Sequence, residues 1–120
     1  MEIGEIQFDV KENLNSMEKA YGVKVAREVV QIFLVDYKSK LQNLRQGIDE
    51  ENSESIRFQA HNIKSGCLSM GLKPMSDLCE KIEHENENLS RHELKSLFES
   101  LEDQYKRISC EFERYLNLTH

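Results

Sequence analysis

The sequence predicts an all-α fold, an antiparallel four-helix bundle with an additional short N-terminal helix. Three observations support this prediction. Apolar residues recur at steps of three and four along most of the chain, proline occurs once, and glycine occurs five times in 120 residues. Such spacing is typical of amphipathic helices, and so few helix breakers leave room only for short connections. We find no segment that reads convincingly as a strand.

The first predicted helix is short, and its apolar positions run from Val10 to Tyr21. Gly22 follows it as a helix stop. The second helix holds one apolar face through about six turns. Gly47 and the polar residues after it are expected to end this helix. Its apolar stripe consists of Ala26, Val30, Phe33, Tyr37, Leu41, Leu44 and Ile48.

The third predicted helix follows two candidate capping residues, Asn52 and Ser53. It is expected to end at Gly71, a residue that suits the left-handed backbone after a helix. Its apolar stripe consists of Ile56, Ala60, Ile63, Cys67 and Met70.

The last two predicted helices also carry recognisable start signals. Pro74 suits the first turn of the fourth helix, where a missing N–H costs little, and this helix is expected to end near Asn88. Ser90 and Glu93 form a predicted capping box for the fifth helix. The apolar stripes are Met75, Leu78, Cys79 and Ile82 on the fourth helix, and Leu94, Leu97, Leu101, Tyr105, Ile108, Phe112 and Tyr115 on the fifth.

Four long amphipathic helices with short connections bury their stripes most simply as an antiparallel bundle, with the first helix packed across one end. Residues 1–120 are expected to form a single domain, because a chain of 120 residues leaves little room for a second core.

Composition argues against several classes of partner. Sixteen Lys and Arg residues against twenty-two Asp and Glu residues give a net charge of -6, so neither nucleic acid nor an anionic membrane is an expected partner. No run of about 18 apolar residues and no signal peptide is present, which predicts a cytoplasmic protein. Cys67, Cys79 and Cys110 form no CxxC pair, so we expect reduced, mostly buried thiols and no metal site.

The chemistry of interest lies on the third helix. His61 follows the core position Ala60 and is therefore about 100° away from it around the helix, at the edge of the buried face. Arg57 lies one turn before it, and Lys64 and Ser65 lie one turn after it. We therefore expect a partly exposed histidine between two cations, with Lys64 facing solvent.

This arrangement has two interpretations. A neutral imidazole can attack phosphorus, and the charges of Arg57 and Lys64 would offset those on the equatorial oxygens during transfer. Alternatively, His61 is an ordinary helix-edge residue on a solvated charged face, which is the more frequent situation for an isolated histidine. Leu68, two turns after His61, fits either the core or a docking surface. Spacing alone leaves these alternatives open.

Residues 60–67 resemble the signature of histidine-containing phosphotransfer domains. That family's pattern is a histidine, any residue, an aliphatic residue, a lysine and two or three small residues. These positions are filled here by His61, Ile63, Lys64, Ser65 and Gly66. A helix-ending glycine and an acidic or amide residue on the next helix also recur in the family, here as Gly71 and Glu83. Ser65 stands where glycine is usual.

The resemblance implies a phosphorelay intermediate that is a carrier without its own ATP site. His61 would be phosphorylated on its outer ring nitrogen, Lys64 would assist, and Glu83 would accept a hydrogen bond from the other nitrogen. The expected partners are response-regulator receiver domains and a histidine kinase, which can be a hybrid kinase. No cofactor is expected on this chain, since the catalytic Mg²⁺ would belong to the receiver. The protein is expected to be a monomer, and the predicted partner-docking residues are Arg57, Ser65, Gly66 and Leu68.

Two other classes of function compete with this one. A di-iron bundle enzyme needs Glu-x-x-His motifs, but the residues three positions before His61, His84 and His92 are Phe58, Lys81 and Leu89. A Gly-rich phosphate loop is also absent from the sequence. A purely structural or adaptor bundle needs no site to explain its apolar stripes and remains an alternative, and it predicts no phosphoryl acceptance. A third possibility is a non-catalytic helical adaptor of the phosphotransfer type that regulates a kinase or receiver by binding. The presence of both His61 and Lys64 argues against such a degenerate domain.

Overall fold

Helices form where the apolar spacing predicted them. The computed structural model describes the backbone of residues 2–119 and the side chains of residues 10–119. A 3-10 turn, Asn86–Asn88, follows the fourth of five α-helices. The helices are α1 (Glu2–Tyr21), α2 (Val23–Asp49), α3 (Ser53–Ser69), α4 (Lys73–Glu85) and α5 (Arg91–Thr119). The described residues contain no strand, and the all-α prediction is confirmed.

The predicted helix starts carry their caps. Asn52 Oδ1 accepts a hydrogen bond of 3.0 Å from the Ser55 N–H at the start of α3. At the start of α5, the Ser90 N–H donates to Glu93 Oε1 at 2.8 Å, and the Glu93 N–H donates to Ser90 Oγ at 3.0 Å. Pro74 lies in the first turn of α4. These contacts satisfy backbone donors that the first turn of a helix leaves without a partner.

Helices α2 to α5 form the predicted antiparallel bundle. α2 and α4 each pack against both α3 and α5, while α1 packs mainly against α2. The short connections make each bundle helix antiparallel to the one before it. The Tyr105 hydroxyl donates to the Leu34 carbonyl at 2.7 Å, which joins α5 to α2. None of the described helices is both long enough and apolar enough to cross a membrane.

Two predicted helix features differ in the structure. α1 begins at Glu2, eight residues before Val10, and Tyr21 at its end is exposed rather than part of the apolar face. Gly47 does not end α2, which continues to Asp49. A Cβ at Gly47 would lie 3.2 Å from Ser55 Oγ on α3, so this glycine allows the two helices to approach closely.

The buried side chains form one cluster that draws on all five helices. Leu72, in the connection after α3, and Phe98 on α5 belong to this cluster, although the predicted stripes did not include them. Cys67 and Cys79 are buried free thiols, and Cys110 is exposed. Burial raises the pKa of Cys67 to about 12. Thiols with raised pKa values are poor nucleophiles, which suits a packing role for the two buried cysteines.

A tyrosine on α2 fixes the position of α3. Tyr37 is buried, stacks on Phe33 with ring centroids 4.1 Å apart, and donates its hydroxyl to the Ile63 carbonyl at 3.0 Å. Gly66 lies about one helical turn after Ile63 on α3 and packs directly against the Tyr37 ring. A Cβ at Gly66 would overlap the Tyr37 hydroxyl and lie 2.6 Å from Cζ. The close approach of the two helices therefore requires glycine at this position.

We expect Gly66→Ala to destabilise the protein, because the new methyl group must displace the Tyr37 ring and break its bond to α3. Overpacking of this kind costs about 1–3 kcal/mol in free energy of unfolding. Urea unfolding of the wild type, Gly66→Ala and Ser69→Ala measures the effect, with Ser69 as an exposed control on the same helix. Equal stability of Gly66→Ala and the wild type would contradict the packing role of Gly66.

Candidate functional site

The candidate site spans α3 and α4, which are joined by a tight turn. Gly71 in this turn has a φ of 73°, a left-handed conformation that favours glycine. The turn makes α4 run back along α3. Residues that lie a similar number of positions before and after the turn therefore face each other. His61 and Lys64 on α3 thereby meet Glu83 on α4.

One carboxylate contacts both α3 side chains. Glu83 Oε2 lies 3.0 Å from His61 Nδ1, and Glu83 Oε1 lies 2.9 Å from Lys64 Nζ. The Glu83 side chain is only 11% exposed, whereas the His61 side chain is 57% exposed. The carboxylate is thus enclosed between the helices, and the imidazole ring extends from it toward solvent.

The contact with Glu83 determines which nitrogen of His61 carries hydrogen. A carboxylate only accepts hydrogen bonds, so His61 Nδ1 must be the donor in this pair. In the neutral ring the lone pair is then on Nε2, the nitrogen on the far side of the ring from Glu83. The expected hydrogen bond between His61 and Glu83 is present, and it leaves Nε2 available for reaction.

The contacts among these three side chains also shift the pKa values of Glu83 and Lys64. Burial alone would raise the pKa of Glu83, but its contacts with Lys64 and His61 outweigh burial and lower that pKa. Its contact with Glu83 raises the pKa of Lys64. The carboxylate and the ammonium group therefore both stay ionised near neutral pH.

The positions of the Lys64 and Arg57 side chains differ in part from those that the sequence predicted. Lys64 does not face solvent: its side chain is 16% exposed and turns toward Glu83 on α4. The prediction failed because helical position fixes the direction of Cβ but not the path of a long, flexible side chain. Arg57 remains at the surface, with its guanidinium 3.8 Å from Glu87 Oε2 beyond the end of α4. Each cation therefore has an acidic neighbour from the α4 side.

The predicted docking residues occupy two kinds of environment. Ser65 is exposed, with its hydroxyl donating to the His61 carbonyl at 3.2 Å. Leu68 is exposed and does not contribute to the core. Gly66, in contrast, packs against Tyr37 of α2. Phe58 is a further exposed apolar residue near His61 that the sequence analysis did not select. Its position one turn before His61 and outside the apolar stripe was the available signal.

No group of three or more His, Cys, Asp or Glu side chains within residues 10–119 is arranged to hold a metal ion.

Comparison with known proteins identifies both the fold and the family of this chain. The structure is similar to the crystal structure of histidine-containing phosphotransfer protein B (HptB) from Pseudomonas aeruginosa PAO1, with a TM-score of 0.83 and 17% sequence identity. The match covers 91% of this chain and 94% of that protein, and at this identity it establishes the fold. A search of curated proteins gives no significant match.

The family comparison rests on the sequence itself. Residues 28–111 match the Hpt domain family, a span that contains His61, Lys64 and Glu83. This match confirms the resemblance drawn from the motif around His61. The chain therefore belongs to the Hpt domain family, the phosphorelay intermediates that work with histidine kinases and receiver domains in two-component signalling.

Proposed function

We propose that His61 is the phosphoacceptor of this phosphorelay intermediate. It accepts a phosphoryl group on Nε2 from a receiver aspartate or a histidine kinase, and it passes the group to another receiver aspartate. The observation that carries this proposal is the combination of an exposed imidazole with a Glu83 carboxylate 3.0 Å from Nδ1. That contact directs the lone pair to the outer nitrogen.

The transfer step follows from this geometry. The Nε2 lone pair attacks the phosphorus of an aspartyl phosphate, the N–P bond forms, and the P–O bond to the aspartate carboxylate breaks. The proton on Nδ1 stays between His61 and Glu83, whose negative charge stabilises the positive charge that develops on the ring. Transfer to the next receiver runs through the same steps in reverse. We expect no cofactor on this chain, with the Mg²⁺ held by the receiver.

Lys64 supplies positive charge beside the reacting group. It shares the Glu83 carboxylate with His61, so its ammonium group is held near the ring before a phosphoryl group arrives. Negative charge spreads over the equatorial oxygens of the transferring group, and a nearby ammonium stabilises that charge. Glu83 thus acts on both groups, since it orients the nucleophile and positions the lysine.

The proposed partner surface surrounds His61 on α3. Arg57, Ser65 and Leu68 are exposed there, and Gly66 on the same helix packs against Tyr37 of α2. We propose that receiver domains and a kinase, which can be a hybrid kinase, use this same surface, because each must bring its reactive group to one nitrogen. The protein would act as a monomer, with one acceptor histidine per chain.

We expect His61→Gln to fold normally but to accept no phosphoryl group, because an exposed side chain contributes little to packing and supplies the nucleophile. Labelling by phosphorylated receiver domains, followed by circular dichroism, tests both parts. The wild-type label should be lost in acid and survive in base, as expected for a phosphoramidate.

Two outcomes would contradict the assignment of His61. One is persistent labelling of His61→Gln at His84, His92 or His120, the last of which lies outside the described residues. The other is a label that survives acid but is eliminated in base, which would indicate Ser65. A complete absence of labelling in the wild type, with retained receiver binding, would support the adaptor alternative.

We expect Lys64→Ala to slow phosphoryl transfer by between about tenfold and several hundredfold at saturating receiver, because the charge beside the phosphoryl group is lost. The rate is measured from the amount of phosphoryl group transferred in reactions that are stopped at successive times. Lys64→Arg is the matched control: it keeps the charge but changes reach and geometry, so it should recover part of the rate. A rate for Lys64→Ala within about twofold of the wild type would show that the lysine only neutralises Glu83.

A further inference from the structure

Asn86 is a polar residue that is buried at the end of α4. Only 6% of its surface is exposed, and it begins the 3-10 turn that follows the helix. Its backbone N–H bonds to the Ile82 carbonyl, and its side-chain Nδ2 donates to the Glu83 carbonyl at 3.4 Å. Asn86 therefore satisfies carbonyls that the last turn of α4, which carries Glu83, leaves without a partner in the helix.

The oxygen of the same amide bonds to α3. Ser53, the first residue of that helix, donates its hydroxyl to Asn86 Oδ1 at 2.9 Å. The hydroxyl also lies 2.9 Å from Glu87 Oε2, but it has a single hydrogen and can donate fully to one acceptor at a time. Asn52, not Ser53, caps the N-terminus of α3. The Ser53 hydroxyl is therefore available to join the start of α3 to the end of α4.

Ser76 shows how a buried polar side chain on α4 is satisfied without such a bridge. It is 4% exposed, and its hydroxyl donates to the Lys73 carbonyl of its own helix at 3.0 Å. Asn86 instead needs one partner from each helix. Burial of an amide is unfavourable unless both its donor and its acceptor are paired. The burial of Asn86 therefore favours one position of α4 relative to α3.

We propose that Asn86 is a positioning residue for phosphoryl transfer, and that Ser53 holds Asn86 in place. The two residues keep the last turn of α4 against the start of α3. That contact determines where the Glu83 carboxylate meets His61 and Lys64. This inference rests on the proposed function, because it takes His61 as the nucleophile that Glu83 orients.

Glu83 depends on such support because of its place in α4. It lies two residues before Glu85, where the helix ends, and helix ends open more readily than helix centres. Within residues 10–119 the His61 ring has no hydrogen-bond partner other than Glu83, so the ring follows any movement of that carboxylate. A misplacement of about 1 Å can slow a reaction by about a hundredfold. The bridge through Asn86 resists such movement at this end of α4.

The test compares Asn86→Ala and Ser53→Ala with the wild type and with Glu83→Ala, which removes the carboxylate altogether. Ser76→Ala is the matched control, because Ser76 is a buried polar residue of α4 that bonds only within its own helix. Ser53→Thr keeps the hydroxyl and tests for rescue. Circular dichroism and urea unfolding show that each variant is folded and how stable it is.

Two further quantities are measured in the folded protein. Nitrogen-15 NMR, at a pH where the His61 ring is neutral, gives the fraction of the ring that is protonated on Nδ1. Labelling by phosphoramidate, a small donor that needs no docking surface, gives the reactivity of His61. A role confined to stability changes the urea midpoint but not the tautomer of the folded protein.

We expect Asn86→Ala and Ser53→Ala to lower the fraction of His61 protonated on Nδ1, to values between those of the wild type and Glu83→Ala. Labelling should slow by about threefold to tenfold, because the carboxylate is present but held less precisely. Ser53→Thr should restore both quantities. Ser76→Ala should leave both unchanged, even where it lowers stability.

Three results would overturn the inference while leaving the function of His61 intact. The first is a wild-type tautomer fraction, with labelling within about twofold of wild type, in Asn86→Ala or in Ser53→Ala. The second is an equal effect of Ser76→Ala. The third is an effect of Glu87→Ala equal to that of Ser53→Ala, which would assign the Ser53 hydroxyl to its other acceptor.

The tautomer measurement separates this inference from the proposed function. It reports the contact between His61 and Glu83 whether or not the histidine accepts a phosphoryl group. The expected tautomer changes, together with no labelling of wild-type His61 by any donor, would support the positioning role of Asn86 and contradict the proposed phosphoacceptor.

Discussion

The carboxylate of Glu83 joins the two α3 side chains on which the proposed chemistry depends. It accepts a hydrogen bond from His61 Nδ1 and forms an ion pair with Lys64, each through a different oxygen. The first contact selects the nitrogen that is free to react, and the second holds a positive charge nearby. Because the carboxylate is largely enclosed, both contacts are stronger than they would be between fully exposed groups.

The rest of the bundle keeps this carboxylate in place. The turn at Gly71 returns α4 antiparallel to α3, and buried side chains such as Ile63 and Ile82 pack the two helices together. On the opposite side of α3, Tyr37 bonds to the Ile63 carbonyl and Gly66 fits against its ring. A site built on two packed helices is held more precisely than one built on loops. His61 can therefore be exposed without being poorly oriented.

Much of this structure was predictable from the sequence because its causes are local. The three- and four-residue spacing predicted the helices, and the Asn52 and Ser90 caps form as expected. The position of His61 beside the core residue Ala60 predicted its partial exposure. Motif resemblance identified Glu83 as its partner, which spacing alone could not have done, because the pairing depends on how α4 lies against α3.

The features that sequence analysis missed depend on contacts between distant parts of the chain. Gly66 stays a predicted docking residue, but the spacing on α3 did not indicate that it packs against Tyr37 of α2, which bonds to the Ile63 carbonyl 26 residues later. The inward turn of Lys64 depends on the position of Glu83, which a single helix does not reveal. Phe58 lies outside the apolar stripe, and only the folded bundle shows that its side chain stays largely exposed.

The tautomer of His61 tests the account of the site most directly. Nitrogen-15 NMR of the imidazole rings, at a pH where the His61 ring is neutral, distinguishes a protonated Nδ1 from a protonated Nε2. We expect His61 to be protonated on Nδ1 in the wild type, and this preference to be lost in Glu83→Ala because the acceptor is removed. A wild-type ring protonated on Nε2 would contradict the account, since the outer nitrogen would then have no lone pair with which to accept a phosphoryl group.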